Sequence, residues 1–293
     1  MILPSIAGAL DHRLESPMAE PALSATALYA EDVDLPVDGI QLRGRWIRHR
    51  RDHDLSSEPT LVFLHEGLGS IVQWRDFPEA LARRTGLAAL IYDRLGHGGS
   101  PPLSGPRTMH YLETEACQVL PSVLAAAGIQ APVLVGHSDG GTIALLFASK
   151  FPEVPRAVIS EAAHVLLEPI TLQGLCTTVE AFTHGSLRAK LARYHGEKTD
   201  SLFHGWSDTW LDPASEAWDI TPQMHAITAP LLLIQGEGDD YGSPAQIEAV
   251  TSRAKGHAES LLIPGCGHVP HSQAREVVLA RMAAFVKAFA HPS

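Results

Sequence analysis

Three cysteines in 293 residues, Cys117, Cys176 and Cys266, are too few and too scattered for a disulfide framework, and their odd number leaves one without a mate. They point to a reducing compartment, and a chain of this length can bury a core without covalent staples. Cationic residues are scarce beside anionic ones: 22 Lys and Arg stand against 33 Asp and Glu, a formal net charge of -11. Nucleic acid and anionic membrane surfaces select clustered Lys and Arg, so neither is expected as a partner. No stretch approaches the roughly 20 apolar residues of a membrane span. The first residues show no basic segment leading into a continuous apolar run, so no secretory signal is read and the expected location is cytoplasmic. Repeats and low-complexity tracts are missing as well. The 16 histidines include no H-E-x-x-H, and the pair His268 and His271 lacks acidic and thiol companions, so no metal or other cofactor is expected.

What the chain does have is 45% hydrophobic residues, grouped in short apolar runs that end in glycine-rich turns. One run, Ala131–Val135, leads into Gly136-His137-Ser138-Asp139-Gly140-Gly141, and the alanine-rich segment Thr142–Ser149 follows. A G-x-S-x-G between a buried strand and a helix lets the two backbones meet in a strained turn that pushes the serine hydroxyl out at the carboxyl edge of a sheet. A reacting serine needs a base and an acid to orient it. A second apolar run, Ala229–Ile234, ends in Gln235-Gly236-Glu237-Gly238-Asp239-Asp240, which sets an acid at a strand end. A third, Ser260–Ile263, is followed by Pro264-Gly265-Cys266-Gly267-His268 and by a helical pattern from about Gln273, which leaves an imidazole on a mobile glycine-rich loop.

These residues resemble the α/β-hydrolase family, and the resemblance covers roughly residues 34–290. Leu61-Val62-Phe63-Leu64-His65-Glu66-Gly67-Leu68-Gly69 is similar to the family's strand and oxyanion loop, and Tyr92-Asp93-Arg94-Leu95-Gly96-His97-Gly98-Gly99-Ser100 to its D-x-R-G-x-G-x-S loop. The resemblance implies an α/β fold with a mostly parallel central sheet, helices on both faces and an inserted helical lid. It implies Ser138 as nucleophile, His268 as base and Asp239 as orienting acid, with the backbone N–H groups of Gly67 and Asp139 as oxyanion donors. Asp239 is preferred to Asp240 because the family's acid follows in a G-x-x-D spacing, here from Gly236; Asp240 is expected to cap the next helix. His65 would brace neighbouring loops, and Cys266 is expected to be a structural thiol. Glu66 stands where the family has glycine. It is read as a solvated or salt-bridged loop carboxylate, the alternative placing it against the substrate. The side chain of Asp139 is read as a helix N-terminal acid that complements the dipole, the alternative being selection of a substrate with a positive group.

Between a strand at Arg156–Ile159 and the one beginning near Pro230 the chain is too long for a loop, so a helical lid is expected over residues 164–222, within a core of 34–163 and 223–293. Phe182, Phe203, His204, Trp206, Trp210 and Trp218 gather there in a chain that is only 6% aromatic, which suggests an apolar or aromatic substrate group. Glu66, His164, Trp206 and Trp210 are the candidate substrate contacts. Residues 1–33, rich in Ala, Pro, Ser and Glu, are expected to form a flexible arm, or else to pack on a second copy of the chain in a homodimer. Basic residues from Arg43 to Arg51 begin in alternation with apolar ones and are assigned to the exposed face of an early antiparallel strand.

Fold does not decide chemistry. The serine at the elbow argues against dehalogenase and epoxide hydrolase reactions, which need an aspartate there. Hydrolysis of a carboxylic ester or lactone of a small-molecule substrate is the first expectation. Carbon–carbon bond hydrolysis, a cofactor-free perhydrolase reaction of haloperoxidase type and a slow-turnover ligand receptor are the alternatives.

Overall fold

A computed structural model describes residues 28–49 and 58–290. Eight strands form one sheet: β1 (Leu28–Val37), β2 (Ile40–His49), β3 (Thr60–Leu64), β4 (Ala89–Tyr92), β5 (Pro132–His137), β6 (Ala157–Glu161), β7 (Leu231–Gly236) and β8 (Ala258–Ile263). Their order across the sheet is β1-β2-β4-β3-β5-β6-β7-β8. β1 pairs antiparallel with β2 and β2 with β4, and every other neighbouring pair is parallel.

The apolar runs β3, β5, β6 and β7 are buried throughout because helices cover both faces of the sheet. The two-residue period of a strand then sorts their side chains into two cores. Leu61, Phe63, Val133, Val135, Leu232 and Ile234 pack with α1 (Phe77–Thr85) and α10 (Arg275–Phe289) on one face. Val62, Leu64, Leu134, Leu231 and Leu233 pack on the other, which α2 (Tyr111–Thr114), α3 (Leu120–Ala127), α4 (Asp139–Lys150) and α8 (Ala245–Thr251) help to cover. A π-helical segment, Glu115–Val119, joins α2 to α3.

Between β6 and β7 the chain inserts α5 (Pro169–Thr183), α6 (Leu187–His195) and α7 (Thr199–Leu211). The two ends of the insertion are tied by Leu167 N–H to Trp218 O (3.2 Å) and Ile220 N–H to Val165 O (2.8 Å). The short α9 (Pro270–Gln273) precedes α10. No helix among the described residues is long and apolar enough to cross a membrane.

The expectation of an arm over residues 1–33 is corrected at its end, because residues 28–33 belong to β1 and pair with β2. Residues 1–27 lie outside the described residues. β1 reads as polar because it is the edge strand, paired on one side only, and its acids face solvent. Arg43 and Arg45 of β2 meet them: Arg45 Nε lies 2.7 Å from Asp32 Oδ1 and Arg43 Nη1 3.2 Å from Asp34 Oδ1. Such surface pairs contribute little to stability. Arg50 and Arg51 lie outside the described residues.

Candidate active site

β5 is central and parallel, so its carboxyl end opens onto the crevice where α/β sheets hold their ligands. There the chain turns from strand to helix in a single residue. Ser138 has φ 53° and ψ -118°, a conformation that costs a non-glycine residue on the order of 1–3 kcal/mol. Its N–H is held by Glu161 O of β6 at 2.8 Å. The flanking glycines are required by contact: a Cβ on Gly136 would lie 2.1 Å from Gly140 O, and one on Gly140 only 1.9 Å from Leu64 O. Both obstacles are backbone and cannot rotate away. Gly140→Ala is therefore expected to cost about 3 kcal/mol or more of stability, read as a lower midpoint of urea denaturation. An unchanged midpoint would show that the end of β3 can move aside.

β7 and β8 bring the other two groups to the same edge. His268 Nε2 lies 3.0 Å from Ser138 Oγ, and His268 Nδ1 lies 2.8 and 2.9 Å from the two Asp239 oxygens. A carboxylate only accepts, so Nδ1 carries the proton and Nε2 faces the hydroxyl with its lone pair. Asp239 is itself fixed by Gln235 Nε2–H to Oδ2 (3.0 Å) and by the Tyr241 N–H to Oδ1 (2.8 Å). Burial alone would raise the Asp239 pKa, but the hydrogen bond and charge of His268 outweigh it and hold the carboxyl below its ordinary value. Burial would likewise lower His268, yet the Asp239 hydrogen bond and charge, with Glu66 and Glu161 behind them, leave the ring above the ordinary 6.5.

The loop that carries His268 is braced from below. His137 donates Nε2–H to His268 O at 2.7 Å. Glu161 accepts from both the backbone N–H and the Nδ1 of His271, the latter at 2.8 Å. Glu161 thus ties the serine, through its carbonyl, to the histidine loop, through its carboxylate. The sequence pair His268 and His271 is split between two carboxylates, and among the described residues no group of three or more His, Cys, Asp and Glu side chains could hold a metal ion.

Gly67 and Asp139 carry the two candidate oxyanion N–H groups. The Asp139 N–H opens α4, where the helix has no internal acceptor for it. The loop bearing Gly67 is clamped by its carbonyls. Arg94 Nη2–H reaches Glu66 O at 2.7 Å, His97 Nε2 lies 3.0 Å from Gly67 O, and His195 Nε2 3.0 Å from Leu68 O. The N–H and C=O of a trans peptide point in opposite directions, so Arg94 on Glu66 O turns the Gly67 N–H the other way. His65 accepts from the Arg94 N–H at Nε2 (3.0 Å) and donates from Nδ1 to Glu66 O (2.7 Å), a bracing role. Burial, then the Arg94 charge, hold its pKa well below the ordinary imidazole value, which keeps that neutral tautomer.

The side chain of Asp139 is buried and engaged, accepting from the Tyr111 hydroxyl at 2.7 Å, with Arg94 Nη2 at 3.5 Å. Tyr111 in turn accepts from Trp210 Nε1–H at 2.9 Å, which links the inserted helices to the residue after the serine.

A cavity of about 200 Å³ opens over Ser138 and His268. Glu66, His164, Trp206 and Trp210 all line it, together with Leu175 and Tyr241. Trp206 roofs the oxyanion loop so closely that a Cβ on Gly67 would lie 2.3 Å from its Nε1. His164 is fixed by Nε2–H to Tyr241 O at 2.9 Å. The other aromatics singled out in the insertion do not reach this cavity. Phe182 and Phe203 stack on each other with centroids 3.6 Å apart as the insertion's own core, Trp218 packs on Trp210, and His204 is exposed. Helical spacing alone could not separate a roof from a core.

Two further expectations are corrected. Asp240 is exposed and α8 begins only at Ala245, so Asp240 does not cap it. No ion pair involves Glu66 among the described residues, so the salt-bridged alternative for it falls. Cys266 is buried with its Sγ 3.6 Å from Gln273 Oε1, as a structural thiol would be. Sequence reasoning gave no role to Arg94, His97, Tyr111, Glu161, His195 or Gln235. The available signals were the D-x-R-G-x-G-x-S-like loop, which contains Arg94 and His97, and a polar residue at a strand end, which Gln235 and Glu161 share.

The sequence model of the alpha/beta hydrolase fold family matches residues 59–214. Mouse (Mus musculus) sn-1-specific diacylglycerol lipase ABHD11 is 26% identical over 240 residues, which span 73% of this chain and 76% of the lipase. Among solved structures, 2-hydroxy-6-oxo-6-phenylhexa-2,4-dienoate hydrolase from Rhodococcus sp. strain RHA1 superposes with a TM-score of 0.74 at 14% identity, covering 89% of this chain and all of that one (100%). The enol-lactonase from Burkholderia xenovorans LB400 does so with a TM-score of 0.66 at 20% identity, covering 87% and 99%. With the family's sequence pattern over more than half of its length and an eight-stranded, mostly parallel sheet beneath it, this chain belongs to the alpha/beta hydrolase fold family.

Proposed function

We propose that the protein is a serine hydrolase that cleaves a carboxylic ester or lactone of a small apolar or aromatic substrate through an acyl-enzyme on Ser138. The observation that carries this reading is the continuous chain from Ser138 Oγ to His268 Nε2 (3.0 Å) and from His268 Nδ1 to Asp239 Oδ1 (2.8 Å), at the foot of a cavity. His268 takes the hydroxyl proton as Ser138 attacks the substrate carbonyl, and Asp239 stabilises the imidazolium that forms. The Gly67 and Asp139 N–H groups receive the developing oxyanion; one such donor is typically worth about a hundred- to a thousand-fold in rate. His268 returns the proton to the leaving alkoxide, then deprotonates the water that releases the acid. The inserted helices act as a lid, and the indoles of Trp206 and Trp210 offer rigid apolar faces to the substrate. Two proteins that the chain resembles, the diacylglycerol lipase and the enol-lactonase, bear names of the same reaction class.

Hydrolysis of p-nitrophenyl esters of increasing acyl length tests this reading. Turnover with a short-chain optimum is expected, because a cavity of about 200 Å³ has little room for a long chain. A fluorophosphonate should label the peptide that contains Ser138. No turnover, or a label elsewhere, would overturn the reading. In the same assay kcat/KM should fall as pH drops and His268 takes up a proton. The midpoint should lie above 6.5, because Asp239 holds the protonated ring.

A further inference from the structure

Glu66 is a carboxylate that the proposed chemistry does not use. It sits beside Gly67 on the oxyanion loop, half-buried, and lines both the catalytic cavity and a second cavity of about 330 Å³. The other carboxylates near the serine are engaged where they stand. Asp239 is bound to His268, Glu161 to His271, and Asp139 lies against the buried Arg94. Glu66 has no cationic partner among the described residues, and its backbone carbonyl, not its carboxylate, takes the Arg94 hydrogen bond. Among the described residues no Lys or Arg lines the catalytic cavity; the arginines Arg75 and Arg275 line the second one, where Arg275 is paired with Asp76 at 2.8 Å. A carboxylate without a protein counter-charge at the wall of a cavity is free to pair with a cation that a ligand brings. Around the same cavity stand Trp206, Trp210 and Tyr241, whose ring faces attract cations.

We propose, resting on the ester-hydrolase reading above, that the catalytic cavity selects substrates carrying a cationic amine, held between the Glu66 carboxylate and the aromatic rings of Trp206, Trp210 and Tyr241. The three methyl groups of a quaternary ammonium, or the carbons beside a protonated amine, meet the indoles, and the charge meets Glu66. The chain's net charge of -11 draws such substrates toward the protein.

Isosteric ester pairs that differ only in charge test this. In one pair the charge is on the alcohol, as choline butyrate against 3,3-dimethylbutyl butyrate. In the other it is on the acid, as the p-nitrophenyl esters of 4-(trimethylammonio)butanoate and 5,5-dimethylhexanoate. The wild type should favour the cationic member of at least one pair by about ten-fold or more in kcat/KM. Glu66→Gln should bring that ratio down by about the same factor, whereas Glu66→Asp, which keeps the charge, should retain part of it. Taking the ratio cancels any change that Glu66→Gln makes to both members through His268. No preference in either pair, or one that survives Glu66→Gln, overturns the inference while p-nitrophenyl butyrate turnover leaves the hydrolase reading standing. Loss of p-nitrophenyl butyrate turnover in the wild type would remove both.

Discussion

Ser138→Ala is expected to lower kcat for p-nitrophenyl butyrate by about a million-fold, the scale on which removing a nucleophile that works as a unit with its base abolishes catalysis. The loss should fall on kcat rather than on KM, because the cavity walls Trp206, Trp210 and Leu175 and the oxyanion loop are untouched by the change. Folding should survive. Alanine still has to adopt φ 53°, but the Ser138 N–H to Glu161 O bond at 2.8 Å remains, and among the described residues the only side-chain partner lost is His268. Residual turnover within about ten-fold of the wild type would mean that another group attacks, or that water attacks directly with His268 as its base.

Asp239→Asn should lower kcat by about ten-thousand-fold. An amide presents an N–H to His268 Nδ1, so the ring would carry its proton on Nε2, facing Ser138 Oγ with a hydrogen where a lone pair is needed. The Tyr241 N–H can still bond the asparagine oxygen, but the amide nitrogen cannot accept from Gln235 Nε2–H, so one of the two anchoring bonds is lost, and a denaturation midpoint measured beside the kinetics separates that loss from the effect on the tautomer. The midpoint of the remaining pH profile should also move down, since the strongest influence holding His268 above 6.5 against burial is Asp239. Asp240→Asn serves as the control: exposed and outside the network, it should stay within about two-fold of the wild type. Near-normal turnover in Asp239→Asn together with loss in Asp240→Asn would reverse the assignment.

The elements that were legible in the sequence are those whose evidence is local. β5, β7 and β8 are short apolar runs ending in glycine-rich turns, and each was found within a few residues of its true bounds. Their parallel pairing puts the three turns on one edge, so Ser138, Asp239 and His268 meet although 130 residues separate the serine from the histidine. β1 was misread at its start because an edge strand with Glu31, Asp32 and Asp34 facing solvent has the composition of a polar arm. Nothing in that stretch announces its partner, and only pairing with β2 makes it a strand.

The polar network behind the site was invisible for a related reason. Arg94 is wholly buried, and no local pattern says that a loop arginine will run beneath the oxyanion loop to Glu66 O and Asp139. Glu161 looks like the polar end of an apolar strand until His271, 110 residues later, closes on it. Periodicity and turn chemistry determined the strands β5, β7 and β8 and the elbow, because each depends on a few consecutive residues and on steric rules that hold in any protein, and the family resemblance supplied the parallel sheet and the order of the three groups. Tertiary structure alone decided that His97, His137 and His195 join His65 in bracing the loops, that Arg94 runs beneath them and that Glu66 is left without a cation among the described residues, because burial and partners are properties of the assembled fold rather than of any segment.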